Sequence, residues 1–229
     1  MKDISPFEEK IGVVFSDKAL LERAFTHRSY INENPRSGLE HNERLEFLGD
    51  AVVELVVTDY LFAEYPTHNE GELTAYRSAL VNAVIMGRVA EALGMNEFLL
   101  LSKGEKKDTG RARQTILANT YESFVGALYL DQGYDIAKDF ILKTLSPELA
   151  EIISKKAWKD PKSRIQEEAQ ERVGLTPNYQ VLSENGPDHD KYFTIGIFFG
   201  DTKIAEGKGR SKQEGQQAAA EAALVKKGW

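Results

Sequence analysis

The sequence contains no cysteine and only four histidines among its 229 residues. This excludes disulfide bonds, a thiol nucleophile and any zinc site built on cysteine ligands. Because nitrogen ligands are also few, a metal ion in this protein is expected to be held by oxygen atoms. The composition is otherwise that of a globular protein of one or two domains, 41% hydrophobic and 28% charged.

Long hydrophobic runs are also missing. No apolar stretch approaches the roughly 18 residues that a membrane-spanning helix needs. The first residues, MKDISPFEEK, lack the apolar segment of a secretion signal. We therefore expect a cytoplasmic protein with no membrane partner. A small-molecule cofactor is not expected either.

Basic charge is scarce, with a formal net charge of −7, whereas binding to nucleic acid normally shows as a basic excess. The average conceals a division, because residues 159–229 carry equal numbers of basic and acidic side chains. The whole acidic excess therefore lies in residues 1–158. The two parts are expected to perform different tasks.

Helical periodicity dominates the sequence from residue 17 to about residue 154, with few alternating segments. The predicted helices cover residues 17–24, 41–65, 70–92, 112–131 and 134–153. The pair Asp160 and Pro161 resembles a helix N-cap followed by a first helical position. We therefore predict an all-α domain over residues 1–156 and a second domain over residues 159–229.

The second part follows a different pattern, which predicts a small α+β domain of order α-β-β-β-α. The predicted elements are a helix at 161–173, strands at 178–184, 191–199 and 203–209, and a helix at 211–227. Ser211 and Glu214 have the spacing of a capping box. The alanines of this last helix allow close approach to a sheet.

The stretch HNERLEFLGDAVVEL (41–55) has the apolar spacing of a buried helix but also carries four acids. At about 100° per residue, these acids fall within an arc of roughly 80°, opposite the apolar side chains. The four are Glu43, Glu46, Asp50 and Glu54. Like charges three or four residues apart destabilise a helix by roughly 0.2–0.5 kcal/mol per pair. Helix propensity therefore does not explain the stripe.

Further oxygen ligands occur in two other predicted helices. Asn119 and Glu122 are three residues apart, and Glu70 begins the stretch EGELTAYRSALVN. Hydrolysis of a phosphodiester assisted by a divalent metal needs several hard oxygen ligands in a small space. Carboxylates on two facing helices would supply them. Periodicity alone also allows all these acids to be solvated surface charges.

These motifs resemble those of the ribonuclease III family. The run HNERLEFLGD (41–50) is similar to the family signature. Three further segments resemble family motifs in the expected order: THRSY (26–30), EGELTAYRSALV (70–81) and ANTYESFVGALYLDQG (118–133). Residues 159–229 resemble a double-stranded-RNA-binding domain.

The resemblance implies an Mg²⁺-dependent endonuclease, with Mn²⁺ as an alternative ion, that cuts both strands of double-stranded RNA. The products would have 5′-phosphate and 3′-hydroxyl ends with a short 3′ overhang. Precursors of ribosomal RNA and other structured transcripts are the family expectation for substrates.

The resemblance also implies roles for individual residues. Glu46, Asn119 and Glu122 match metal ligands, Asp50 and Glu122 match catalytic positions, and Glu43 and Glu70 match supporting acids. The family commonly has Asp where this chain has Asn119. A neutral amide oxygen binds a hard cation less strongly than a carboxylate does, so metal affinity is expected to be affected.

Phe47 lies at the edge of the acid stripe, where an exposed aromatic side chain needs an explanation. The resemblance implies a homodimer joined along the signature helices, with Phe47 buried in the partner. Packing within its own subunit is the alternative. The basic loop KGEKKDTGRAR (103–113) either is solvated or holds the RNA backbone. The segment THRSY (26–30) is expected to form a structural turn.

A-form RNA is read mainly by its shape, and the α-β-β-β-α order suits this task. By resemblance, the first helix of the domain touches one minor groove, a loop residue enters the next, and cations meet the phosphates between them. The corresponding residues are Ser163, Gln166 and Glu167, then His189, then Lys212 with Arg210 beside it. Lys212 also adds a cation to a helix N-terminus, itself an anion site, although an ordinary charged cap would look the same. Gln213 and Gly215 depart from the common Lys and Ala.

Three functions compete: a double-strand-specific nuclease, a non-catalytic RNA-binding member of the same fold, and an unrelated dimetal helical protein. Dimetal carboxylate bundles use Glu-x-x-His pairs, and this chain has none. Asn119 is the kind of change that accompanies loss of catalysis, but the five acids at 43, 46, 50, 70 and 122 all remain. The nuclease is therefore the predicted function.

Overall fold

The computed structural model describes residues 3–154, 158, 160–187 and 191–229. The chain divides into two compact units, Met1–Trp158 and Lys159–Trp229. The first is helical, and the second is a three-stranded sheet with a helix at each end of its chain. This confirms the predicted fold class. No helix in the described ranges has both the length and the hydropathy to cross a membrane.

The helices of the first unit follow the predicted segments, with two additions and one break. They are α1 (Ser5–Ile11), α2 (Lys18–Ala24), α3 (Arg28–Glu33), α4 (Glu43–Glu64), α5 (Glu70–Leu80), α6 (Ala83–Ala92), α7 (Arg111–Gln132) and α8 (Tyr134–Ser154). Short 3₁₀ turns cover Met95–Glu97 and Glu105–Lys107. The sequence pattern did not predict α1 and α3.

The single helix predicted over residues 70–92 is wrong, because the chain breaks it at Val81 and Asn82. The Asn82 side chain accepts hydrogen bonds from the backbone N–H groups of Val84 and Ile85, so it caps α6. Asparagine competes well for such groups at a helix start. The apolar pattern continues across Asn82, so periodicity alone did not indicate a helix start there.

Aromatic side chains fill the core of the first unit around α7. Phe124 of α7 lies 5.3 Å from Phe7 of α1 and 5.0 Å from Phe140 of α8, measured between ring centroids. Phe7 also meets Phe25 edge to face at 5.1 Å. All of these rings are buried. Helix α7 is therefore the central element, held on several sides, and its neighbours are positioned against it.

The second unit contains α9 (Pro161–Val173), β1 (Pro177–Asn185), β2 (Tyr192–Phe199), β3 (Thr202–Gly209) and α10 (Lys212–Lys227). The antiparallel sheet has the order β1-β2-β3. A Cβ added at Gly207 of β3 would lie 2.1 Å from the backbone nitrogen of Ala219 in α10. The helix therefore packs directly on the sheet, as its alanines suggested.

Candidate active site

The acid stripe lies along α4. Glu43 and Asp50 are exposed, and Glu46 and Glu54 are partly buried. The opposite side of the helix carries buried Leu45, Val52, Val53 and Val56. Glu54 is drawn away from the other acids, because its carboxylate lies 3.4 Å from the Arg77 guanidinium of α5. The stripe therefore reduces to a cluster at the first half of the helix.

Two glycines bring α4 and α7 into backbone contact beside this cluster. A Cβ added at Gly49 would lie 1.8 Å from the carbonyl oxygen of Glu122, and one added at Gly126 would lie 2.2 Å from that of Leu45. Side chains larger than hydrogen do not fit at either position. The crossing places the backbone of Glu122 directly over Gly49, which lies between Glu46 and Asp50 in the sequence.

The carboxylates at this crossing are close enough to perturb one another. The pKa of Glu122 is raised to about 8, first by burial and then by the charges of Asp50 and Glu46. The pKa of Glu46 is also raised, by burial and by the charge of Glu43, while a hydrogen bond with the Asn119 side chain acts in the opposite direction. Glu43, Glu46, Asp50, Asn119 and Glu122 thus form one site, which we call the acid cluster.

The acid cluster suits a divalent cation in its chemistry. Carboxylate and amide oxygens are the ligands that hard cations prefer. A cation would favour the charged forms that burial and the neighbouring acids disfavour. In the described part of the chain, no group of three or more His, Asp or Glu side chains is arranged to hold a metal ion. The predicted ligands Glu46, Asn119 and Glu122 therefore lie near one another, but they are not yet arranged as a coordination shell. Rotation of these side chains would be needed to coordinate an ion.

Three residues of the segment THRSY (26–30) connect the acid cluster to the rest of the fold. The guanidinium of Arg28 lies 3.1 Å from the Glu43 carboxylate. His27 is the N-cap of α3, and its Nδ1 accepts from the backbone N–H of Ser29. The backbone N–H of Ser102 in turn donates to the Ser29 hydroxyl. The expected turn is therefore the capped start of helix α3, which also neutralises part of the charge on Glu43.

Glu70 lies apart from the acid cluster within one chain. It begins α5 and accepts a hydrogen bond of 3.1 Å from the Thr74 hydroxyl. With Phe62 and Leu73 it lines a cleft of about 440 Å³ at the far end of α4. At a rise of 1.5 Å per residue, Phe62 is about 24 Å along the helix from Glu46. A single chain therefore does not bring Glu70 to the other predicted acids.

The basic loop 103–113 is partly tied to itself. Arg113 donates to the carbonyl oxygens of Glu105 and Asp108, at 2.7 and 3.1 Å. Lys106 and Arg113 line a cleft of about 810 Å³ with Arg88 of α6. Arg113 therefore shapes the loop, whereas Lys106 and Lys107 are exposed.

The predicted RNA-binding residues of the second unit are exposed where the structure describes them. Ser163, Gln166 and Glu167 line a groove of about 390 Å³ on α9. Lys212 is the first residue of α10 and follows the N-cap Ser211. Arg210 lies over the ring of Tyr192, 5.7 Å from its centroid. His189 lies outside the described residues.

The sequence did not reveal the contacts that fix the geometry of the acid cluster. Arg28 is 15 residues from Glu43, and no local pattern links them. Gly49 and Gly126 carried the only available signal, since an isolated glycine inside a helical pattern often marks a close packing contact.

Comparison with known proteins gives matches over both units. Residues 17–149 match the family model described as Ribonuclease-III-like, and residues 161–226 match the double-stranded RNA binding motif. The chain is 42% identical over 219 residues to ribonuclease 3 of Pelotomaculum thermopropionicum, covering 96% of this chain and 91% of the relative. It is 46% identical to ribonuclease 3 of Protochlamydia amoebophila, covering 95% and 89%.

Solved structures agree for the first unit. The nuclease domain of ribonuclease III from Campylobacter jejuni is 37% identical and has a TM-score of 0.57, covering 65% of this chain and 97% of that domain. Another structure of that domain is described as showing structural flexibility in a region involved in dimer formation.

The raised pKa of Glu122 predicts how the stability of the metal-free protein depends on pH. The folded carboxyl keeps its proton up to a pKa of about 8, whereas its ordinary value is 4.5. The unfolded chain therefore loses that proton first, and stability falls as pH rises between these values. We expect Glu122→Gln to reduce the fall in melting temperature from pH 5.5 to pH 8.5 by roughly 5–10 °C, since each kcal/mol shifts the melting temperature by about 2–4 °C in a chain of this size.

The measurement is thermal unfolding in EDTA, followed by circular dichroism, for wild type and variant at both pH values. The difference between the proteins isolates Glu122 from other groups that titrate. Glu64→Gln, at the exposed end of α4, is the control and should behave as wild type. An identical fall for Glu122→Gln and wild type would show that Glu122 ionises normally.

Proposed function

Because the chain belongs to the ribonuclease III family, a family of double-strand-specific endoribonucleases, we propose that it cleaves double-stranded RNA by metal-assisted hydrolysis. Residues 1–156 would form the catalytic domain and residues 159–229 the RNA-binding domain. The products would carry 5′-phosphate and 3′-hydroxyl ends with a short 3′ overhang. Precursors of ribosomal RNA and other structured transcripts are the proposed substrates.

The acid cluster is the observation that carries this proposal. Glu46, Asn119 and Glu122 would hold Mg²⁺, or Mn²⁺ in its place. When bound, the ion would neutralise the carboxylates and polarise the scissile phosphate and the attacking water. Burial and neighbouring acids raise the pKa values of Glu46 and Glu122, which supports a site where a divalent cation would stabilise the charged carboxylates.

Asp50 and Glu122 are the proposed catalytic residues. The charge of Asp50 acts on Glu122 across the α4–α7 crossing, so the charge on Asp50 would favour uptake of a proton by Glu122. One of them would accept the proton of the attacking water as the new P–O bond forms. The bond to the 3′ oxygen would break, and that oxygen would take up a proton from solvent to become the 3′-hydroxyl. Glu43, held by Arg28, would keep a fixed position at the edge of the cluster.

A non-catalytic RNA-binding protein of the same family is the second candidate, and Asn119 is the observation that favours it. The two candidates differ in one experiment. Purified protein is incubated with a long perfect RNA duplex, with and without Mg²⁺, and the ends of any products are analysed. Uncut RNA with tight binding would support the second candidate.

In the same assay we expect Glu122→Gln to lower the cleavage rate at saturating Mg²⁺ by at least about a hundredfold, the usual range for loss of a proton-transfer residue. Duplex affinity in EDTA should stay within about twofold of wild type, because most proposed RNA contacts lie in the other domain. Glu64→Gln should cleave as wild type does. Turnover of Glu122→Gln near the wild-type rate would refute the assignment of Glu122.

A row of exposed apolar side chains beside the acid stripe supports the proposed homodimer. Phe47 is 82% exposed, Leu55 58% and Phe62 74%, and at about 100° per residue they fall on one side of α4. Leu55 lies midway between the two phenylalanines. A two-fold axis beside Leu55 would pair the helices antiparallel and place each Phe47 against the partner's Phe62.

Such a dimer would also explain the position of Glu70. The cleft lined by Phe62, Leu73 and Glu70 would receive the partner's Phe47. Because Phe47 is adjacent to Glu46 in the sequence, the partner's acid cluster would approach Glu70. Each active site would then draw a supporting acid from the other subunit.

We expect Phe47→Ala to weaken dimerisation at least about tenfold, because burial of a phenylalanine side chain contributes roughly 1.5–3 kcal/mol. Sedimentation velocity over a dilution series measures this. Val225→Ala is the matched control, since Val225 is 83% exposed but lies on α10. Wild-type sedimentation of Phe47→Ala at every concentration would place Phe47 outside the interface.

Asn119 decides how tightly the site would bind metal. A carboxylate at this position adds a negative charge next to a divalent ion, but it also removes the hydrogen bond to Glu46 and adds repulsion. We expect Asn119→Asp to lower the Mg²⁺ concentration for half-maximal cleavage by roughly tenfold, about 1.4 kcal/mol. The metal-free variant should melt at a lower temperature than wild type.

A magnesium titration of cleavage and thermal unfolding in EDTA give the two readouts. Asn119→Ala serves as the comparison, because it removes the amide oxygen without adding charge. If Asn119→Asp needed as much Mg²⁺ as wild type, or more, then Asn119 would not be a ligand.

A further inference from the structure

Lys212 has a carboxylate partner within its own domain. Its ammonium lies 3.8 Å from the Glu184 carboxylate at the end of β1 and 5.8 Å from the centroid of the Phe193 ring on β2. Both charged side chains are substantially exposed, at 61% and 45%. The pair is therefore accessible to a ligand that would compete for either charge.

The register of the sheet and two glycines where α10 meets it bring these groups together. Glu184 is paired with Phe193 across β1 and β2. A Cβ added at Gly215 of α10 would lie 2.5 Å from Cγ1 of Ile195, and one at Gly209 would lie 2.4 Å from Cβ of Glu214. The first turn of α10 therefore packs closely on β2 and β3, which holds Lys212 over Phe193 and beside Glu184.

We propose that Glu184 competes with RNA phosphates for Lys212 and thereby weakens duplex binding. The inference rests on the proposed binding of double-stranded RNA. A phosphate that reaches the ammonium of Lys212 would also come within a few ångströms of the Glu184 carboxylate, where like charges repel. Binding must then break the ion pair and tolerate the remaining negative charge.

The surrounding sequence makes this competition important for RNA binding, because few other cations lie nearby. Residues 159–229 carry no basic excess, and a neutral Gln213 follows Lys212, so Lys212 is one of only three cations, with Lys208 and Arg210, in residues 208–213. The shape-dependent contacts proposed for Ser163, Gln166 and Glu167 lie on α9 and do not involve Glu184. Glu184 thus lowers the electrostatic contribution to the affinity, which comes from RNA phosphates. It leaves unchanged the contribution that depends on the shape of the duplex.

Duplex binding by the full chain in EDTA, measured by fluorescence anisotropy, tests the inference. We expect Glu184→Gln to bind a labelled RNA duplex about threefold more tightly than wild type at low salt, with the gain fading as salt screens exposed charges. Glu206→Gln is the matched control. It removes an equally exposed carboxylate from an ion pair on the same sheet, with Lys203 at 3.0 Å, and should leave the affinity unchanged.

The pairing with Lys212 is tested by a double-mutant cycle. In a Lys212→Ala background, Glu184→Gln should give no more than a small gain, because the ammonium for which phosphate competes is gone. An equal gain in both backgrounds, or no gain in wild type, would overturn the inference. If wild-type protein failed to bind the duplex at all, the proposed function would fail. If wild-type protein bound the duplex but Glu184→Gln brought no gain, only this inference would fail.

Discussion

The backbone contact between α4 and α7 is the constraint on which the acid cluster depends. Only hydrogen fits at Gly49 and Gly126, where an added Cβ would meet backbone carbonyl oxygens at 1.8 and 2.2 Å. With any larger residue the helices would separate, and Glu122 would move away from Glu46 and Asp50. The two glycines have no chemical role, yet they set the distances on which the interaction among these carboxylates depends.

The rest of the first unit opposes the repulsion that this contact creates. Acids held together near neutral pH would push α4 and α7 apart, and the raised pKa values of Glu46 and Glu122 reflect first the burial of these carboxyls and then the charges of neighbouring acids. Phe124 and the rings packed on it anchor α7 from the opposite side. Burial of these aromatic side chains contributes several kcal/mol, enough to hold a strained site in place without a bound cation.

The sequence predicted the elements better than it predicted the contacts between them. Periodicity located α4 because its apolar residues recur over six turns, but it ran α5 and α6 together, since a capping asparagine leaves an apolar pattern intact. It placed Glu54 on one stripe with Glu43, Glu46 and Asp50, whereas Arg77 draws this residue to α5. The pairing of Arg28 with Glu43 depends on tertiary structure, which no local spacing encodes.

The first unit carries the acidic excess and the second is neutral. This difference explains how a protein with a net negative charge could bind a ligand that is rich in phosphate. The acid cluster repels a phosphate backbone unless cations intervene, so affinity must come from elsewhere in the chain. The second unit provides exposed polar residues on α9 and few free cations at α10. Because Glu184 partly neutralises Lys212, binding there would depend less on charge and more on the shape of the duplex. A protein built this way would tolerate changes in salt better than one that holds RNA through a basic patch.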